Sequence, residues 1–478
     1  MSEKSTILSV GIDIGTSTTQ VIFSQLTFKN SAGYFAVPHI EIADKNVVYK
    51  SDIYITPLKD RVMIDGEKVR QIVAGEFSKA GFGPGDTQTG AVIITGESAR
   101  KENSEIVLNE LSDFAGEFVV STAGPDLESI IAGKGSGAAA YSKENQCTVV
   151  NLDIGGGTTN AVLFDCGEVI AKGCLDIGGR LIKVDPDMKV TYVSDSVKRI
   201  ASHEGLKVQV GEGADYQVIG SICRKMAELL YDWLNHRSSP LLESILTPGS
   251  SPFDFDKPIR AICFSGGVAD CIYTHQDGPW NRFGDMGILL GDAIRQSRLW
   301  SDYRVMEAVE TIRATVVGAG SYTTSVSGST ITYDRDVFPL KNIPVLKLTA
   351  EEQEHCFADD REWFREKLRW MLEQSDSDSL IVAMKGKQNP SYTELRRMAA
   401  CLTSVMDEAL PPGIPLIIVL EYDMAKALGQ VMNRLLEGRR DVICVDSIQV
   451  DQNDFVDMGK PLVDGLVIPV VVKTLIFG

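Results

Sequence analysis

The pattern of apolar and polar positions changes along the chain. Residues 10–23 read as an apolar run, a Gly- and hydroxyl-rich turn and a second apolar run, which predicts a tight β-hairpin. Residues 150–163 repeat that pattern. Strand-like runs also fall at 34–42, 47–55, 91–95 and 260–265. Helical spacing puts Val69, Ile72, Val73, Phe77 and Ala80 on one face of a helix near 67–81. Another helix is expected at 103–114, and a small-residue-rich one over 125–142. The clearest helix lies near 216–236, where Ile219, Ile222, Cys223, Met226, Leu229, Leu230, Trp233 and Leu234 form an apolar stripe. Strands alternating with helices predict an α/β architecture.

Past about residue 335 the texture changes. Charged helices are expected near 350–374 and 392–408, then a buried strand at 415–420 and a β-rich end. This predicts a separate C-terminal α+β domain. With 478 residues the chain exceeds one ordinary core. The division expected is 1–145, 146–335 (with a connecting helix near 311–327) and 336–478.

The two hairpins superimpose at one constant offset. Val10, Asp13, Ile14, Gly15, Thr18 and Thr19 recur as Val150, Asp153, Ile154, Gly155, Thr158 and Thr159. Glycine lets backbone N–H groups approach an anion, and hydroxyls add donors. An aspartate would repel phosphate but can hold a Mg²⁺ that holds phosphate. Two such hairpins facing one another would grip a triphosphate from both sides. No P-loop occurs, and the Gly-rich run at 133–137 follows a helical stretch, unlike a dinucleotide-binding fingerprint. A buried strand ending in Ser265-Gly266-Gly267 offers small residues on which a base and ribose could lie. In the run 314–322, Gly318 and Gly320 suit either a nucleotide contact or close helix packing.

The net charge of −18 disfavours nucleic acid and anionic membranes as partners. No run approaches the ~18 apolar residues of a membrane span. The chain enters a strand-like run directly after six polar-rich residues, so a cytoplasmic location is expected. The nine cysteines lack any C-x-x-C spacing and the five histidines are scattered; buried thiols are expected rather than zinc or disulfides.

These features resemble the superfamily of actin, sugar-kinase and heat-shock-chaperone ATPases. The resemblance implies two ribonuclease-H-like lobes around a nucleotide cleft. Residues 9–23, 91–99, 124–137, 151–165, 174–181 with their Ile-Gly-Gly-Arg, 311–324 and 454–477 are similar to the reactivating factors of ethanolamine ammonia-lyase. That likeness implies a chaperone for an adenosylcobalamin enzyme. It would use ATP to release damaged cobalamin from the client and admit intact adenosylcobalamin. Asp13 and Asp153 should hold Mg²⁺. Gly15, Thr16, Ser17, Thr18 and Thr19 should cradle phosphates of ATP or ADP, as should Gly155, Gly156, Gly157, Thr158 and Thr159. Gly266 and Gly267, with Gly318 as a further contact, should serve the nucleoside. Gly133 stands where the heat-shock chaperones carry a water-positioning glutamate; Glu97 and Glu128 are the substitutes proposed, and slow ATP hydrolysis is expected. A homodimer and association with a bacterial ethanolamine microcompartment stay open. So do two other functions of the fold: a small-molecule kinase, with Asp52, Asp126 or Asp176 as base, and a filament-forming ATPase.

Overall fold

In the computed structural model the described residues are 5–15, 18–30, 40–59, 63–87, 89–95, 98, 103–112, 119–122, 125–322, 325–326, 332–333, 337–374, 377–452, 454–461 and 468–474. The first sheet is an antiparallel meander of Ser5–Ile14, Thr18–Asn30 and Ile40–Lys50. Thr89–Ile94 joins the first of these in parallel, and Val119–Thr122 joins that strand in turn. The spatial order is therefore third, second, first, fourth, fifth. The second sheet has the same order, built from Thr148–Ile154, Thr159–Asp165, Glu168–Leu175, Ala261–Ser265 and Arg304–Met306. The repeated hairpins are thus the first two strands of two lobes with ribonuclease-H-like topology. Every residue of Thr148–Ile154 is buried. Its strand is covered on both faces, so the polar Asn151 and Asp153 are buried along with its apolar residues.

Two helices connect the lobes. Pro125–Gly135 packs on the second sheet, and Ala314–Tyr322 packs on the first. They cross where glycine is required. A Cβ on Gly135 would lie 1.8 Å from the Ala314 carbonyl oxygen, and one on Gly318 would lie 2.0 Å from that of Ile131. Polar ties reinforce the junction: Arg313 donates to the Ser51 carbonyl at 3.0 Å, and Lys50 pairs with Glu310.

Local chemistry sets the helix ends. Gly66–Ala80 starts at Asp65, whose carboxylate accepts from the Lys68 N–H, and stops at Gly81 in the left-handed region. Tyr216–Leu234 starts at Asp215, which accepts from the N–H groups of Gln217 and Val218. Its apolar stripe enters the largest core, which it shares with Gly287–Arg295.

The third sheet has seven strands. Leu340–Lys347, Ile381–Met384, Leu416–Leu420 and Val442–Val445 are parallel and adjacent in chain order. Asp454–Met458, Pro469–Thr474 and Ser325–Val326 extend it antiparallel. Strands added in sequence by crossovers of one hand place their helices on one face. Glu352–Phe357, Arg361–Gln374, Tyr392–Ala409 and Ala425–Leu436 accordingly share one core. Ile381, Ile417 and Ile443 face a second core with Phe338, Val450 and Ile468. The single helix predicted at 350–374 is two, broken at Asp359, whose φ is +61°.

All nine cysteines are free thiols, and Cys166 alone is exposed. Among the described residues no helix is long and apolar enough to cross a membrane.

Candidate functional site: a cleft between duplicated hairpins

The two hairpin turns close alike. The Gly15 N–H donates to the Thr18 carbonyl at 2.8 Å, and the Gly155 N–H to that of Thr158 at 2.9 Å. In each lobe the aspartate one residue before the end of the first strand accepts from a hydroxyl on the neighbouring parallel strand or just past its end. Thr95 donates to Asp13 at 3.0 Å and Ser265 to Asp153 at 2.5 Å. Asn151 donates to Ser265 at 3.0 Å and orients that hydroxyl. Both carboxylates line one cleft of about 500 Å³ between the lobes.

Burial governs their electrostatics. It pushes the Asp13 carboxyl up to about 7; the Thr95 hydroxyl opposes the rise and the Asp153 charge adds to it. Burial pushes Asp153 up to about 6, with Ser265 opposing. Two desolvated carboxylates that repel one another are stabilised in their charged form by a cation between them. Hard oxygen donors suit Mg²⁺, which keeps several waters and needs only one or two carboxylates besides substrate phosphates. Among the described residues there is no group of three or more His, Cys, Asp or Glu able to hold a metal. The pair Asp13 and Asp153 fits a Mg²⁺ shared with phosphate.

The cleft gathers most of the residues singled out from the sequence. Asp13, Gly15 and Thr18 line it from one hairpin, and Asp153, Gly155, Gly156, Gly157 and Thr158 from the other. Gly266, Gly267 and Glu128 line it as well. Gly266 has φ +87°, and a Cβ there would sit 2.5 Å from the Ile154 carbonyl oxygen. Only glycine permits that turn.

Three expected contacts are corrected. The Thr19 hydroxyl pairs with that of Thr56 at 3.1 Å, and the Thr159 hydroxyl donates to the Ile177 carbonyl at 2.8 Å. Both threonines are fully buried. Neighbouring strand residues point to opposite faces, so only Thr18 and Thr158 reach the cleft. Gly318 serves the helix crossing, where its Cα lies against the turn that carries Ile131. Thr16, Ser17 and Glu97 lie outside the described residues.

The carboxylates considered as kinase bases are elsewhere. Asp126 accepts from Ser251 and pairs with Lys172, Asp176 accepts from Thr247, and Asp52 is exposed. None of the three lines the cleft.

Sequence reasoning missed Thr95, and missed that the Ser265 hydroxyl serves Asp153. Their common signal is a hydroxyl residue that follows or ends a buried strand and precedes a glycine. It also missed Arg180, which lines the cleft; its side chain donates to Asp285 at 3.1 Å and its N–H to the Gly156 carbonyl at 2.7 Å. Asp285 also accepts from the Gly287 N–H at 2.9 Å. Burial raises the Asp285 carboxyl, against the pull of Gly287 and Arg180.

Two lobes of one topology, with paired Asp-Gly-Thr hairpins turned into a shared cleft, place the chain in the actin-like ATPase fold class. Among solved structures, a Ppx/GppA family member from Aquifex aeolicus aligns with TM-score 0.41 and 14% identity, covering 66% of this chain and 98% of that one. The chain belongs to the family described as ethanolamine utilisation protein EutA, which it matches over residues 5–478. It is 36% identical over 476 residues to the ethanolamine ammonia-lyase reactivase EutA of Salmonella typhimurium, and 34% identical to that of Escherichia coli. Each match covers 98% of both chains.

Proposed function

We propose that this chain is an ATP-dependent reactivase for an adenosylcobalamin-dependent ethanolamine ammonia-lyase. The names of its two relatives, matched end to end, support the client. The observation that carries the engine is the symmetric pair of hairpins with buried Asp13 and Asp153 facing one cleft. In this reading the backbone N–H groups of the two glycine turns and the hydroxyls of Thr18 and Thr158 bind the phosphates. Asp13 and Asp153 hold Mg²⁺, which neutralises phosphate charge when bound. Arg180 adds a cation beside the second turn. Glu128, half-buried on the cleft wall, orients the water for a slow hydrolysis.

Reactivation then rests on linkage. The triphosphate and diphosphate states hold the lobes differently, and the client must bind those states with different affinity. Only that difference can loosen a damaged cobalamin and let intact adenosylcobalamin replace it. The placement of Asp52, Asp126 and Asp176 outside the cleft gives the small-molecule kinase alternative no base among the residues considered for it.

The test uses ethanolamine ammonia-lyase inactivated with cyanocobalamin. This protein, adenosylcobalamin and Mg²⁺ are added with and without ATP, and ammonia release is followed. Recovery that requires ATP and is lost in Asp153→Asn supports the proposal. Equal recovery without ATP, or none with a matched client, contradicts it.

A further inference from the structure

The hairpins line the cleft with backbone and carboxylates, and the same cleft also carries an aromatic side chain. Phe283 lines the cleft and is 54% exposed, while the neighbouring Met286, Ile288 and Leu289 are buried. The Arg282 guanidinium lies over the Phe283 ring, 4.6 Å from its centroid.

The turn that carries this ring is pinned on several sides. The Gly284 N–H donates to the Asn281 carbonyl at 2.7 Å, and the Val184 N–H to the Gly284 carbonyl at 2.9 Å. Asp285 ties the turn to Arg180 and, through the Arg180 N–H, to Gly156 of the second phosphate turn. On the other side Arg282 donates to the Gln276 side chain at 2.6 Å. Gln276 in turn donates to the carbonyls of Thr274 and Asp270, at 3.2 and 3.3 Å. The ring is therefore held in register with two segments of the same lobe: the phosphate turn and the segment that follows Gly266 and Gly267. Gly267 adds room, since a Cβ built on it would meet no atom within 4 Å.

An exposed ring on a fixed turn, backed by a guanidinium and set in the same cleft as an open glycine turn, suits a flat aromatic ligand. We infer that Phe283, held by Arg282, is the stacking wall for the purine base of the nucleotide. This deepens the nucleotide reading above and rests on it. Phosphates alone would be held by the hairpins and owe nothing to the ring. A purine covers more of a phenyl face than a pyrimidine, so the same wall selects between nucleotides.

The test measures binding of Mg·ATP, Mg·CTP and Mg·tripolyphosphate by calorimetry to the full chain and to Phe283→Ala and Phe283→Trp. Stacking of one base is lost at a cost of roughly five- to 150-fold in affinity on alanine substitution. Phe283→Ala should weaken Mg·ATP by about tenfold or more on that scale, leave Mg·tripolyphosphate unchanged and reduce the preference for ATP over CTP. Phe283→Trp should restore both the affinity and the preference. Because the ring is exposed, melting temperatures of the ligand-free variants should match that of the parent protein. Unchanged Mg·ATP binding in Phe283→Ala, or equal loss for tripolyphosphate, overturns the stacking role while leaving the phosphate site standing. Failure of the unmodified chain to bind any of the three ligands overturns the nucleotide reading, and the base wall with it.

Discussion

Asp13→Asn should make the ligand-free protein more stable while abolishing its response to Mg·ATP. The carboxyl is 7% exposed, and its pKa is about 7 instead of the usual 3.8. For an acid raised in the folded state, protonation favours folding. The stability this confers is present at low pH and is lost as pH rises from about 4 through about 7. At pH 8 the ionised group costs the fold about 4 kcal/mol. Asparagine keeps the shape and can still accept from Thr95, so recovering half of that cost, ~2 kcal/mol, is a reasonable scale. For a domain of 150–250 residues this reads as a rise of ~4–8 °C in melting temperature. The assay is thermal melting of both proteins at pH 8 and pH 5, with and without Mg·ATP. The gap should be wide at pH 8 and narrower at pH 5, where the folded forms of both proteins are uncharged at this position. Mg·ATP should raise the melting temperature of the parent and leave that of the variant unmoved. A variant less stable than the parent at pH 8, or a gap independent of pH, would refute the claim that a buried charge is held there at a cost. A ligand response kept in full would refute the role of Asp13 in holding Mg²⁺.

Two further predictions concern the frame. Gly318→Ala inserts a Cβ 2.0 Å from the Ile131 carbonyl oxygen at the helix crossing, so it should destabilise the two lobes by at least ~1–3 kcal/mol. Melting monitored with and without Mg·ATP checks this, and a variant that melts like the parent would show that the crossing yields freely. Arg440 is 8% exposed and donates to the carbonyls of Asp407, Leu410, Pro411 and Ile414. Arg440→Ala should lower the stability of the C-terminal domain by about 2–4 kcal/mol, read as earlier proteolysis of that domain on heating, with Mg·ATP binding retained.

Much of the site was legible because its determinants are local. Asp13 and Asp153 each stand one residue before the end of a buried strand, and the turns that follow need glycine and hydroxyl residues within a few positions. Strand alternation, applied strictly, would also have separated Thr18 and Thr158 from Thr19 and Thr159, since it follows from backbone geometry alone. The long helix at Tyr216–Leu234 was equally open to reading, because its stripe and its Asp215 cap lie in one stretch of chain. The break at Asp359 was not, as the charged, amphipathic residues on either side are good helix formers.

The duplicated hairpins, the α/β class and the two carboxylates were thus determined by the sequence itself, through hydrophobic period and turn chemistry. What only the tertiary structure decided is which elements meet. The helix Pro125–Gly135 follows the first sheet in the chain yet packs on the second, and Ala314–Tyr322 follows the second yet packs on the first. Arg180 finds Asp285, and Phe283 enters the cleft, across stretches of chain whose local patterns carry no trace of one another. Such pairings depend on close approach at glycine and on which buried faces fit together. Those are properties of the assembled packing, and no single segment encodes them.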